Sequence, residues 1–300
     1  MILYYIEDSI TELNILTANR PDSIKGLATL TGHDAYKGSA ARGRIRLSLK
    51  TNSVANKSDY TISIPNGCKV VNLFNNLTYT IILSANDVKI GTNMADNVDA
   101  NIIQGEYKYQ SATGTGQKLQ SFNFAEKSGG YIDEYSIRVF VNGEAWKRVT
   151  SIIDMGRDEE CYIARSGVIG GVDLFFGNEV NGAVPPIGST IQIEYVKTQG
   201  VPGNVQASNV NKYNSWKFLT KGVSSSGEST DLNDVIGVTC LTDIILGTAS
   251  EDSALTRMIA PHASRSFVLA NKVNYKYFLQ RMNMFSVVDV FKGMNTFEDM

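Results

Sequence analysis

Tyr135-Ser136-Ile137-Arg138-Val139-Phe140-Val141-Asn142-Gly143-Glu144-Ala145-Trp146-Lys147-Arg148-Val149 decides the fold class. Two β-type runs flank an Asn-Gly pair. A type I′ turn needs positive φ at both central residues, and Asn followed by Gly accepts it at least cost, so the stretch predicts a β-hairpin. The same period of two extends outward. Arg44-Ile45-Arg46-Leu47-Ser48-Leu49-Lys50 alternates polar and apolar and puts Ile45, Leu47 and Leu49 on one face of a strand. Tyr60-Thr61-Ile62-Ser63-Ile64 alternates too and stops at Pro65-Asn66-Gly67, a turn sequence. Residues 79–83, 87–90, 101–107 and 119–124 read as further strands, with a loop at Ser111-Ala112-Thr113-Gly114-Thr115-Gly116. Downstream, 161–165, 173–176 and 191–196 continue the pattern. Residues 39–204 therefore form a central, antiparallel, β-rich domain.

Helical spacing flanks this domain. Ile10, Leu13 and Leu16 lie close to one helical face. Pro21 interrupts, Asp22 or Ser23 caps a second helix through Ile24, Leu27 and Leu30, and Gly32 stops it. Residues 1–38 are thus an N-terminal helical segment. Gly200-Val201-Pro202-Gly203-Asn204 closes the β pattern, and 205–250, with Ser224-Ser225-Ser226-Gly227, reads as linker-like. A short helix over 253–258 stops before Pro261. Asn271 caps another that carries Tyr275, Phe278, Leu279 and Met282, and 286–291 resembles a strand. Residues 251–300 are the start of a small α+β domain. The fold class is α+β and β-rich: short N-terminal helices, a central antiparallel β domain and a C-terminal helix/strand domain.

Composition excludes several functions. The 300 residues suggest two domains at ~150 residues each. Hydrophobic residues at 43% supply a core, and Lys+Arg 28 against Asp+Glu 30 gives a net charge of -2. That balance argues against a basic nucleic-acid binder and a polyacidic tail. No apolar run reaches the ~18–20 residues of a membrane span, and Met1 to Asp8 lacks the basic start of a secretory signal. Cys68, Cys161 and Cys240 are far apart and odd in number, which fits buried free thiols in a reducing compartment rather than a zinc site. The two histidines, His33 and His262, read as a helix end and a loop. Gly114-Thr115-Gly116-Gln117-Lys118 lacks the spacing of a phosphate loop. The sequons at Asn56 and Asn76 have no secretion signal to support them. Asp158-Glu159-Glu160 reads as a solvated turn.

The stretch Asp173 to Tyr195 differs in kind: strand, glycine- and proline-rich connection, strand. Gly177 and Gly182 permit positive φ, Pro185-Pro186 stiffens the excursion, and Gly188 turns the chain into the next strand. Gly177, Asn178, Asn181, Gly182, Pro185, Pro186 and Gly188 are the candidate structural and interaction residues. A rigid loop on a β scaffold is a natural docking surface.

The motif Phe-Gly-Asn-x-x-x-Gly-x-x-Pro-x-x-Gly-Ser from Phe176 to Ser189, the strand ending at Tyr195, and Gly200 to Asn204 resemble the baseplate-J-like family of phage contractile-tail baseplate wedge proteins. Further segments resemble that family in matching order. Residues 17–33 resemble its first helix, with His33 where Tyr is usual. Residues 40–47 resemble its first strand, and Ile62-Ser63-Ile64-Pro65-Asn66-Gly67 its Ile-Pro-Gly turn. Residues 102–107 and 117–124 resemble its paired strands before the hairpin. Asn271-Lys272-Val273-Asn274-Tyr275 resembles a Thr-x-x-Asp-Tyr helix start, with Asn replacing both Thr and Asp.

The resemblance implies a virion protein assembled in host cytoplasm. Members form wedges and a ring around the central hub and tube, as homodimers joined to other wedge, hub, tube or sheath proteins, and rearrange on sheath contraction. It implies no enzyme activity, no catalytic residues, no metal, no cofactor, no nucleic-acid partner and no small-molecule substrate. The alternative is a β-rich tail-fibre or carbohydrate-recognition module in which Tyr and Trp stack on sugars. A glycan-cleaving enzyme would need a pair of carboxylates flanking a cleft.

Overall fold

The computed structural model describes residues 9–50, 61–85, 87–91, 97–167, 171–213, 215–224, 226–263, 275 and 279. The chain forms two compact units, one from residues 1–36 with 251–300 and one from Lys37–Ser250. Secondary structure is β-rich, with few and short helices, as the period of two requires.

In the first unit, residues 9–11 are helical and the chain then turns. The Asn14 side chain accepts from Leu16 N at 3.0 Å, and Thr17 Oγ1 donates to Thr11 O at 2.7 Å. These local side-chain bonds compete with the helix ladder, so Leu13 and Leu16 leave the expected helical face. Helix α1 (Pro21–Leu30) starts with Pro in its first turn; Arg20, not Asp22 or Ser23, occupies the N-cap. Gly32 has φ +82, and His33 N donates to Ala28 O at 3.1 Å while Gly32 N donates to Thr29 O at 3.1 Å. That is a Schellman stop, as Gly32 suggested.

The second unit holds three sheets. The six-stranded sheet runs β15 (Trp216–Phe218), β3 (Lys69–Asn72), β4 (Leu77–Ile82), β6 (Asn97–Gln104), β1 (Arg42–Leu49), β18 (Ile236–Cys240). Ile45 and Leu47 are fully buried, with Ile45 opposite Cys240 on one side and Ala100 on the other; Leu49 is half-buried. A four-stranded sheet of β17 (Ser229–Asp231), β16 (Lys221–Ser224), β2 (Thr61–Pro65) and β5 (Asp87–Gly91) contributes Ile62 and Ile64 to the same core.

The eight-stranded sheet runs β7 (Glu106–Thr113), β14 (Thr190–Thr198), β10 (Arg138–Val141), β11 (Glu144–Val149), β12 (Cys161–Ser166), β13 (Val172–Phe175), β8 (Ser121–Phe124). The short β9 (Tyr131–Ile132) also pairs with β14. The predicted hairpin is present: Val141 faces Glu144, with Asn142 at φ 51 and Gly143 at φ 91. Pairing in all three sheets is antiparallel except that β11 and β12 run parallel. The sheet's two end strands, β7 and β8, are joined by the loop 114–120, and Gln110 Nε2 donates to Ala125 O at 3.1 Å. The sheet therefore curls toward itself around Phe124, Val139, Trp146, Leu174, Ile193 and Tyr195. Its outer face meets the six-stranded sheet where Val196 packs with Ala40 and Ile103.

Other expectations change. The loop read from Ser111 begins only at Gly114, because β7 continues through Thr113, and His262, read as a loop residue, lies within the helix Ser253–Ala263. The strand read over 101–107 breaks at Gly105, where φ is +126 and a Cβ would stand 2.1 Å from Lys197 O; there the chain passes from one sheet to the next. The linker-like 205–250 is folded into this unit. It supplies β15 to β18, helix α2 (Ala207–Lys212) and helix α3 (Leu232–Val235), and buries Val210, Phe218, Leu232 and Ile236. Its strands are short, three to five residues, so no run of alternation announced them. Helix α4 (Ser253–Ala263), in the first unit, passes through Pro261, which sits in its last turn and forfeits one backbone bond there. The helix expected from Asn271 lies outside the described residues apart from Tyr275 and Leu279, which are helical; the strand over 286–291 and the Asn56 sequon also lie outside them.

Candidate functional site

The connection from β13 to β14 is locked by backbone contacts. Gly177 and Gly182 pack main chain against main chain, so a Cβ on Gly177 would stand 2.2 Å from Gly182 C and O. Gly177 N donates to Ala183 O at 3.2 Å. The Asn178 side-chain oxygen accepts from Val180 N at 3.0 Å and Asn181 N at 2.7 Å, an Asx turn that fixes the tip. Gly182 has φ +76 and donates to Gly156 O at 2.9 Å; Ala183 N donates to Glu159 O at 2.8 Å.

A neighbouring loop, 114–120, braces the far side. Buried Gln120 accepts from Thr115 N at 2.9 Å and donates to Pro185 O at 2.8 Å. Leu119 N donates to Gly177 O at 2.9 Å, and Gly188 N donates to Gly114 O at 2.9 Å. Lys118 and Glu179 pair at 2.6 Å across the two loops.

Gly177, Gly182 and Pro185 are buried, and Asn178 and Asn181 half-buried, so these five build the loop; Pro186 and Gly188 face solvent. The side chains the loop presents are Val180, 65% exposed, and Ile187, 82% exposed. Leu119 joins them from the adjoining loop, 53% exposed and held at φ +56. Left-handed backbone in a leucine is strained, and here the surrounding bonds hold it with its apolar side chain outward. Sequence reading passed over these three. For Val180 and Ile187 the signal is an apolar residue just before Asn181 and Gly188, where a polar one would be expected; Leu119, between Lys118 and Gln120, has no such signal.

The other candidate groups have structural partners. Glu159 accepts from Gly156 N at 2.9 Å and pairs with Lys147 at 2.7 Å, which lowers its pKa; the Asp158-Glu159-Glu160 turn thereby carries the loop's inner edge. His33 Nε2 lies 2.8 Å from Glu251 Oε1. Trp146 and Trp216 are each 8% exposed and stack edge-on against Phe176 and Tyr79, so neither forms a surface platform. All three cysteines are free and buried; burial pushes the Cys68 thiol up to about 12 and that of Cys240 up to about 11. Among the described residues no His, Cys, Asp and Glu gather into a metal-holding group. Among the same residues no helix is long and apolar enough to cross a membrane. The chain matches no protein-family model and no curated protein sequence.

Proposed function

We propose that this protein is a structural component of a contractile-tail baseplate, joining other wedge, hub, tube or sheath proteins through surface complementarity and acting as a homodimer within a ring. The observation that carries the reading is the doubly braced loop pair whose exposed tips are Leu119, Val180 and Ile187. Apolar side chains on a rigid scaffold lose little conformational entropy on binding, which suits permanent assembly. The ordered resemblance of the sequence segments supports the same reading. A virion location, assembly in host cytoplasm and rearrangement on sheath contraction follow from it.

The test is incorporation. Val180→Asp and Ile187→Asp each place a carboxylate on an exposed tip without touching the core. Light scattering on the purified chain, and co-sedimentation with contractile-tail particles, should show a dimer and incorporation for the unmodified chain and loss of both for the variants. A chain that stays monomeric and never enters such particles sinks the reading.

A further inference from the structure

On the outer face of the eight-stranded sheet, away from the braced loops, a cross-strand row joins Tyr109, Glu194 and Arg138. Glu194 lies opposite both Tyr109 and Arg138 in the register. Its side chain, 11% exposed, accepts from Arg138 Nη2 at 3.2 Å and from the Tyr109 hydroxyl at 3.4 Å. A second pair stands beside the first. Asp133, fully buried, accepts from Arg42 Nη2 at 2.6 Å and from Ala40 N at 2.7 Å, and the Arg42 guanidinium lies 5.4 Å from the Tyr135 ring centre. Tyr107 lies within electrostatic reach of both pairs, Arg138 with Glu194 and Arg42 with Asp133.

Each element of this cluster is preorganised. Two buried carboxylates orient two guanidinium planes, whose side chains are 61% and 32% exposed. Two tyrosine rings, 60% exposed at Tyr109 and 72% at Tyr135, flank them. The two cations are matched by two anions, and the adjoining Glu134 pairs with Lys37 and Arg148, so every carboxylate of the patch already has a cation. A neutral ligand docks without breaking these pairs. What it offers is aromatic faces for C–H groups and paired donors and acceptors for hydroxyls. Tyr109 and Arg138 are two strands apart, ~10 Å, which is longer than one sugar ring. We infer that this face binds a neutral oligosaccharide, with Tyr109 and Tyr135 stacking on its rings and the Arg138–Glu194 pair reading its hydroxyls. This does not rest on the structural role proposed above and uses other residues.

The experiment is an array of neutral oligosaccharides (glucans, mannans, galactans and N-acetylglucosamine oligomers) alongside sialylated and sulfated glycans, probed with the full chain. Calorimetry on the best neutral binder follows. Tyr135→Ala and Tyr109→Ala should each weaken binding by about tenfold, and Arg138→Lys should do the same because Lys cannot keep the planar fork. Tyr213→Ala, another exposed tyrosine, should leave binding unchanged. All four changes are at or near the surface, and a thermal melt confirms folding. Absence of binding to every neutral oligosaccharide overturns the inference. So does binding that the three patch variants leave intact, or binding confined to anionic glycans.

Discussion

Gly177 and Gly188 sit in one loop but are glycine for different reasons, and alanine at each separates the two. At Gly177 the added Cβ meets three backbone atoms within 2.4 Å, two of them at 2.2 Å. Ordinary contact begins near 3.4 Å, so the main chain must move by more than an ångström. Overpacking of that kind costs about 1–3 kcal/mol. The displacement also breaks the bonds from Gly177 N to Ala183 O and from Leu119 N to Gly177 O, at about 1 kcal/mol each. Gly177→Ala should therefore cost roughly 3–5 kcal/mol. At Gly188 a Cβ meets nothing within 4 Å, and the cost is only that of holding alanine at φ +77, about 1–2 kcal/mol. A domain of this size loses about 2–4 °C of Tm per kcal/mol. Scanning calorimetry should show Gly177→Ala lowering Tm by at least about 6 °C, and by clearly more than Gly188→Ala. Gly177, unlike Gly182 and Gly188, does not adopt positive φ, so the sequence expectation of a left-handed residue there does not hold and equal losses would refute the backbone-contact argument outright.

Two further predictions concern titrating groups. Burial raises the Glu251 carboxyl, but hydrogen bonds from His33, Thr256 and Tyr36 N outweigh it and hold the pKa below the usual value. A depressed carboxylate contributes stability above its unfolded pKa of about 4.3 and loses it as pH falls through the folded value. The protection of the Tyr36 amide, measured against its intrinsic exchange rate at the same pH, should fall as pH drops below the usual carboxylate range, and Glu251→Gln should remove that pH dependence; protection that does not change with pH counts against the clamp. The Cys68 and Cys240 thiols, pushed up by burial to about 12 and 11, should not react with a thiol reagent in the folded chain and should react fully in denaturant. Rapid reaction of the native protein would show that the core opens.

The elements legible in the sequence are those with a strong local signal. The Asn142-Gly143 hairpin, the β1 alternation and the Gly32 stop each rest on one turn or one period. Strand exchange at Gly105 was hidden because Ile103, Gly105 and Tyr107 alternate with Gln104 and Glu106 without a change of period; the break comes from a tertiary contact with Lys197 O. The fold of 205–250 was hidden because β15, β16 and β18 pair with partners more than a hundred residues away, as Trp216 does with Asn72, Val223 with Ser63 and Cys240 with Ile45. Of the candidate loop, the glycines, asparagines and prolines were readable as rigidity. The exposed Val180 and Ile187 were not, because exposure depends on which side of the braced backbone each residue faces. The Tyr109–Glu194–Arg138 row needs the register of three strands, which no single stretch contains.

The register also bears on how the chain is built. Lys37–Ser250 is inserted between the two halves of the other unit, and its own ends are tied to each other. Ser39 and Thr248 exchange backbone bonds at 3.2 and 3.1 Å, and Arg42 and Ile245 do so at 2.7 and 3.0 Å. The ladder continues into β1 and β18, where Ile45 faces Cys240. Closing such a long loop costs entropy that grows only slowly with length, and the large apolar core inside it repays that cost without help from outside. A chain of residues 37–250 alone should therefore fold cooperatively. Its urea midpoint should match the corresponding transition of the full chain, with an m value scaled to its smaller surface. A fragment that expresses as an aggregate, or that unfolds without a cooperative transition, would show that the terminal segments complete this unit.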